Sequence, residues 1–194
     1  MSADAPVVAF VHGLAASMDV WAAAARTLSD RFGVLRYDLR GHGESDGNDA
    51  PCGRSDLADD LVALLDRLEI PRAVLVGHSA GGVVAMQTAV DFPSRVSALV
   101  LVGTASACNE RTAEWYAATA ERARQEGGEA AMKAMGLRGG APVPDGRTFA
   151  QVALAMRSLN QDPLTERLQA IRVPTLVVVG ESDFLGVGGS VILS

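Results

Sequence analysis

A chain of 194 residues, 48% of them hydrophobic, has the length of one domain and enough apolar surface to bury a sizeable core. Its formal net charge of −6, with Lys and Arg outnumbered and unclustered, argues against a phosphate-backbone binder, so no nucleic-acid partner is expected. No apolar run approaches the roughly 18 residues that span a bilayer, and no basic leader is visible, which predicts a cytoplasmic protein without a membrane partner. Cys52 and Cys108 stand apart, without C-x-x-C spacing or clustered histidines. They suggest ordinary thiols, not a disulfide framework or a metal site, and no cofactor is expected.

Val7-Val8-Ala9-Phe10-Val11 is a short continuous apolar run, the mark of a strand covered on both faces, and it ends at His12-Gly13-Leu14. Residues 18–32 follow as a predicted helix with Trp21, Ala25 and Leu28 along one side. Residues 34–38 form a second strand that runs into the glycine-rich Leu39-Arg40-Gly41-His42-Gly43-Glu44-Ser45. Leu57, Leu61, Leu64, Leu65 and Leu68 then fall at helical spacing with charged residues between them, and this helix stops before Pro71. Residues 73–78 and 96–102 read as strands, with a helix between them ended by Phe92-Pro93.

From about residue 107 to 166 the strand-like runs vanish and helix-forming Ala, Glu, Arg and Met dominate. Helices are predicted over 110–125, 128–135 and 147–159, separated by Gly139-Gly140, Pro142 and Pro144. A last strand over 176–179 ends at Gly180-Glu181-Ser182-Asp183. The predicted architecture is α/β: a three-layer α/β/α sandwich with a mainly parallel sheet of about five strands and an inserted helical lid. The core would comprise residues 1–106 and 167–194, and the lid residues 107–166. A Rossmann-type nucleotide fold would need G-x-G-x-x-G after the first strand, where this chain has His12-Gly13-Leu14-Ala15-Ala16-Ser17.

The most informative stretch is Gly77-His78-Ser79-Ala80-Gly81, a G-x-S-x-G between a buried strand and a buried helix. A corner of that kind strains the serine backbone and needs glycine where a side chain would strike the adjoining strand or helix. A serine there could instead cap the helix, but capping does not call for glycine on both sides.

Four signals in order, His12-Gly13, Asp38-Leu39-Arg40-Gly41-His42-Gly43-Glu44-Ser45, Gly77-His78-Ser79-Ala80-Gly81-Gly82 and Gly180-Glu181-Ser182-Asp183, resemble the α/β-hydrolase fold superfamily. The likeness is to its lidded esterase, lactonase and haloperoxidase-like group. It implies that Ser79 attacks the carbonyl of an ester, lactone or thioester to form an acyl-enzyme. It also implies that the N–H groups of Leu14 and Ala80 form the oxyanion hole, and that Asp183 is the triad acid orienting a histidine. Some relatives place that acid after the strand ending at Gly103-Thr104, but no carboxylate lies between Gly103 and Asn109. By the same resemblance His12 and His42 organise loops and the His78 side chain points away from the reaction centre. Trp115, Met132, Met135, Phe149 and Met156 line an acyl pocket or form the core of the lid; the sequence leaves both open.

The family's base is a histidine from a loop beyond Asp183, and no histidine follows His78 here. The two-stranded hairpin that relatives usually place before the first strand is missing as well. Truncation, a frameshifted tail and natural loss of catalysis are three accounts of these short ends. Without the histidine, a loss of about 10⁴ to 10⁶ in turnover is expected of the chain as written. The alternatives to hydrolysis are a non-catalytic ligand-binding protein and cofactor-free haloperoxidase or perhydrolase chemistry. The last strand is expected to be an apolar sheet edge open to self-association.

Overall fold

A computed structural model describes residues 5–48, 50–137 and 142–183. Gly139-Gly140 and everything after Asp183 lie outside these residues. Five strands, β1 (Val7–Val11), β2 (Gly33–Tyr37), β3 (Ala73–His78), β4 (Val96–Val102) and β5 (Thr175–Val178), form one sheet in the order β2-β1-β3-β4-β5. Every neighbouring pair is parallel. Six α-helices accompany them among the described residues: α1 (Ala22–Leu28), α2 (Arg54–Arg67), α3 (Ala80–Asp91), α4 (Glu110–Glu126), α5 (Gly128–Ala134) and α6 (Gly146–Arg157). None is long and apolar enough to cross a membrane.

Alternation along β1 divides the core. Val8 and Phe10 point to one face, where they pack with Val76, Trp21, Ala24 and Leu28 from the α1 side. Ala9 and Val11 point to the other, into the larger cluster that holds Leu57, Leu61 and Leu65 of α2 and Val83, Val84 and Met86 of α3. A strand covered in this way needs no polar face, which is why its sequence is apolar throughout. Helix α3 is buried along almost its whole length, from Ala80 to Ala89.

The predicted helix over 18–32 is interrupted. Met18–Trp21 form a 3₁₀ turn, with the Ser17 hydroxyl accepting from the Asp19 N–H at 3.4 Å, and α1 proper stops at Leu28. Ser29 and Asp30 are weak helix formers, and the chain must turn there to enter β2. The apolar stripe of α2 is also narrower than its leucine spacing suggests. Leu57, Leu61 and Leu65 are fully buried, whereas Leu68 lies past the helix end and is 48% exposed.

The segment between β4 and β5 contains α4, α5 and α6, close to the predicted helices. Ala113, Ala120 and Ala123 on α4 and Ala150, Val152 and Ala153 on α6 are buried in or beside the main core, small enough for the two helices to approach closely. Each helix begins at a capping residue. The Asn109 side chain accepts from the Thr112 N–H at 2.9 Å, and the Asp145 carboxylate from the Thr148 N–H at 2.8 Å.

Strand β5 is the exposed edge of the described sheet, with Leu176 57% and Val178 42% accessible. Replacing Leu61 by Ala should cost about 2–5 kcal/mol in urea denaturation, because it empties a fully buried site. Leu68→Ala should stay within about 0.5 kcal/mol of the parent. Equal effects of the two substitutions would contradict this assignment of the α2 face.

Candidate active site

Ser79 sits at the corner between β3 and α3 with φ 51° and ψ −118°, one of three non-glycine residues with positive φ among the described residues. An L-residue pays for such a backbone in strain, on the order of 1–3 kcal/mol, so the surroundings must impose it. They do so through packed backbone. A Cβ on Gly77 would collide with the carbonyl of Gly81, one on Gly81 with the carbonyl oxygen of Val11, and one on Gly82 with the side chain of Thr104. The first turn of α3 is thereby wedged against the ends of β1 and β4.

Hydrogen bonds lock the same corner. The Ser79 N–H donates to the Val102 carbonyl at 3.0 Å, and the Thr104 hydroxyl donates to the Ser79 carbonyl at 2.7 Å. The Ser79 side chain makes no capping hydrogen bond, so the helix-cap alternative is not realised. Sequence alone does not single out Thr104. Its place after Gly103 marks the end of β4, but nothing local reveals that its hydroxyl reaches the serine.

Leu14 lies in the turn after β1, where the Ala16 N–H donates to the Gly13 carbonyl at 3.2 Å and Ala15 takes φ 61°. A Cβ on Gly13 would stand 3.1 Å from Ser79 Cβ, so this turn and the corner are in contact. Ala80 is the first residue of α3, where an N–H has no intrahelical acceptor. Asp183 closes a turn after β5, its N–H donating to the Gly180 carbonyl at 3.0 Å, and a Cβ on Gly103 would be 2.7 Å from its Oδ2. Ser79, Leu14, Ala80 and Asp183 therefore gather at the carboxyl ends of β1, β3, β4 and β5.

The five candidate pocket residues are not gathered in the same way. Phe149 and Met156 are fully buried and Met132 nearly so, all within the main core, and Phe149 packs against His42 with ring centroids 5.7 Å apart. Met135 is partly buried, while Trp115 is 36% exposed and lies edge-on to Tyr116. An open depression of about 390 Å³ is lined by Gly47, Asn48, Asp145 and Arg147, none of them a sequence-predicted site residue.

The glycine-rich loop after β2 is organised by Asp38. Its carboxylate accepts from the Met18 N–H at 2.6 Å and the Glu44 N–H at 3.1 Å, and its carbonyl accepts from the Ser45 hydroxyl at 2.8 Å. Gly43 passes so close to that carboxylate, at φ 55°, that any side chain there would overlap it. His12 bridges this loop to β1, with Nδ1 donating to the Gly13 carbonyl at 2.8 Å and Nε2 accepting from the Leu39 N–H at 2.9 Å. That pair of bonds assigns a neutral ring protonated on Nδ1, and burial lowers its pKa accordingly. His42 donates from Nδ1 to the Arg40 carbonyl at 3.0 Å, while its buried Nε2 has no protein partner. Both histidines hold backbone, as the resemblance implies. The His78 ring instead stands between Gly13 and Gly103. Among the described residues no cluster of side chains could hold a metal ion, and both cysteines are free thiols.

A strained serine leading from a parallel strand into a buried helix, at the carboxyl edge of a sheet wound in this order, is the architecture of the α/β hydrolases. Residues 6–134 match the α/β hydrolase fold family, and the chain belongs to it. It is 28% identical over 196 residues to 3-oxoadipate enol-lactonase 2 of Acinetobacter baylyi, covering 93% of this chain and 73% of that protein. The crystal structure of an enol-lactonase from Burkholderia xenovorans superposes with a TM-score of 0.88 at 28% identity, over 98% of this chain and 78% of that one. A thermophilic esterase from Thermogutta terrifontis gives 0.81 at 29% identity, over 93% and 73%. By kinship the chain is an α/β-fold hydrolase.

Burial pushes the His42 imidazole down to about 4, against the opposing effects of the Arg40 carbonyl and the Asp38 carboxylate. A histidine depressed in the folded state stabilises the fold above its unfolded pKa of about 6.5 and loses that contribution as pH falls toward 4. Between pH 7 and pH 5 the urea-unfolding free energy should therefore drop about 2 kcal/mol more in the parent than in His42→Gln. Parallel curves for the two proteins would contradict a buried neutral His42.

Proposed function

We propose that the protein hydrolyses a carboxylic ester, lactone or thioester through an acyl-enzyme on Ser79. The observation that carries this is the imposed backbone of Ser79. A main chain held at positive φ by glycine-backed packing, with the hydroxyl left out of the helix cap, costs stability that a structural serine would not require. The Ser79 hydroxyl attacks the substrate carbonyl carbon and its proton passes to a base. The resulting oxyanion lies between the N–H groups of Leu14 and Ala80, each donor being worth about 3 kcal/mol in comparable chemistry. Collapse expels the alcohol or thiol, or opens the lactone, the leaving group taking the proton from the base, and water then releases the acid. Asp183 is the carboxylate that orients the base and stabilises its cation.

The relatives named as enol-lactonase and esterase support the bond type. In this reading the segment 107–166 acts as a lid, with Trp115 and Met135, which retain exposed surface, as its contributors to the substrate pocket. Met132, Phe149 and Met156 shape that pocket from the core behind it. The protein works in the cytoplasm, where both thiols stay reduced. The apolar edge at β5 invites a second copy at high concentration, and a monomeric light-scattering mass there would count against that association.

The 194 residues contain no histidine beyond His78, so the base of the family mechanism has no counterpart in them. These residues alone should retain what an oxyanion hole and binding provide, about 10³ to 10⁴ over water. A fluorophosphonate probe should label Ser79 slowly, imidazole added as an external base should speed the labelling, and Ser79→Ala should abolish it. Labelling that survives Ser79→Ala, or a serine that never reacts even with imidazole present, would overturn the assignment.

A further inference from the structure

Gly13 and Gly103 flank the exposed ring of His78 beside Ser79. A Cβ placed on Gly13 would meet His78 Nδ1 and Ser79 Cβ, each at 3.1 Å. A Cβ placed on Gly103 would meet the opposite edge of the ring, Cδ2 at 3.7 Å and Nε2 at 3.8 Å, and would lie 2.7 Å from Asp183 Oδ2. The imidazole thus spans from the serine corner toward the carboxylate, its Nδ1 edge on the Ser79 side and its Nε2 edge on the Asp183 side. Gly103 has φ 50°, and any side chain on it would take the place that the carboxylate oxygen occupies.

The backbone brings these groups together by a short series of hydrogen bonds. Ser79 N–H donates to the Val102 carbonyl at the end of β4, and Gly103 N–H donates to the Val178 carbonyl at 2.9 Å at the end of β5. The turn from Gly180 to Asp183 then carries the carboxylate back over Gly103. His78 is held by the β3 ladder, opposite Val102, so its Cα is part of the rigid sheet while Asp183 lies in the turn beyond it.

We propose that His78 is a positioning residue for Asp183: its imidazole, seated between Gly13 and Gly103, faces the carboxylate over the bare Gly103 backbone and fixes where its oxygens stand. Holding Oδ2 above Gly103 sets the direction in which the second oxygen points, which is what a triad acid must control to orient a base. That catalytic consequence rests on the hydrolase reading above; the pair itself does not. Two titratable groups act with the ring. Desolvation lowers the His78 pKa and the Asp183 carboxylate opposes that shift, while His12, at the end of β1, would be a like charge if both rings were protonated.

NMR titration of the three imidazoles in the 194-residue chain tests the pairing, with His78→Gln identifying the His78 signal. Asp183→Asn should lower the His78 midpoint at low salt. Added salt should lower the parent midpoint toward that of Asp183→Asn, and should leave the variant's own midpoint in place. A purely packing role for His78 would give neither shift. A His78 midpoint indifferent to Asp183→Asn overturns the proposal, as does one indifferent to salt in the parent. Neither readout needs turnover, so an unreactive Ser79 would count against the hydrolase reading alone, and an unmoved midpoint against the pair alone.

Discussion

The structure depends on how closely backbone approaches backbone where β3 turns into α3. Gly77 faces the carbonyl of Gly81, and Gly81 faces the carbonyl of Val11, with no room for a methyl group at either place. That contact fixes the entry of α3 into the layer behind the sheet and forces Ser79 to positive φ. The buried length of α3, with Val83, Val84 and Met86 in the main core, supplies the apolar free energy that holds the strained residue in place. Fold stability and the exposure of one hydroxyl are therefore set by the same packing.

A second constraint joins the long helical segment to the sheet. The Asp145 N–H donates to the Gly41 carbonyl at 2.9 Å and the Thr148 hydroxyl to the Asn48 carbonyl at 3.1 Å, tying the start of α6 to the loop that Asp38 organises. The Cys52 N–H donates to the Gln151 side chain at 3.0 Å one turn further on. At the far end Arg54, almost wholly buried, pairs with Asp162 at 2.5 Å, and the Leu164 N–H donates to the Ser106 carbonyl at 2.8 Å. Helix α6 is thus fastened to the core at both ends, and its inner face, Phe149, Val152, Ala153 and Met156, is continuous with the main cluster. Trp115 of α4 and Met135 at the end of α5 keep exposed surface.

The fold was largely legible because its signals are short-range. Continuous apolar runs gave the strands to within one residue, and glycines on both sides of Ser79 announced a corner whose geometry only glycine permits. Where local propensity and tertiary demand diverge, the sequence was less informative. The leucines of α2 share one spacing, but Leu68 falls past the helix end, and residues 18–32 carry helical spacing although the chain must bend after Leu28 to reach β2. Ser79, Leu14, Ala80 and Asp183 come together because each lies at or beyond the carboxyl end of a strand in one parallel sheet. Thr104 and the seat of His78 were not legible. Thr104 reaches Ser79, and the His78 ring reaches Gly13 and Gly103, across strand ends more than twenty residues apart in sequence, and a lone Thr or His carries no periodic mark.

The proposed oxyanion hole sets the Leu14 and Ala80 N–H groups around the oxygen of the carbonyl that Ser79 attacks. A crystal structure of the covalent phosphonate adduct reads this directly. In it a phosphoryl oxygen should lie about 2.7–3.1 Å from both the Leu14 and the Ala80 nitrogen atoms, with the phosphorus bonded to Ser79 Oγ. An adduct on another residue, or a phosphoryl oxygen turned into solvent away from both amides, would contradict it.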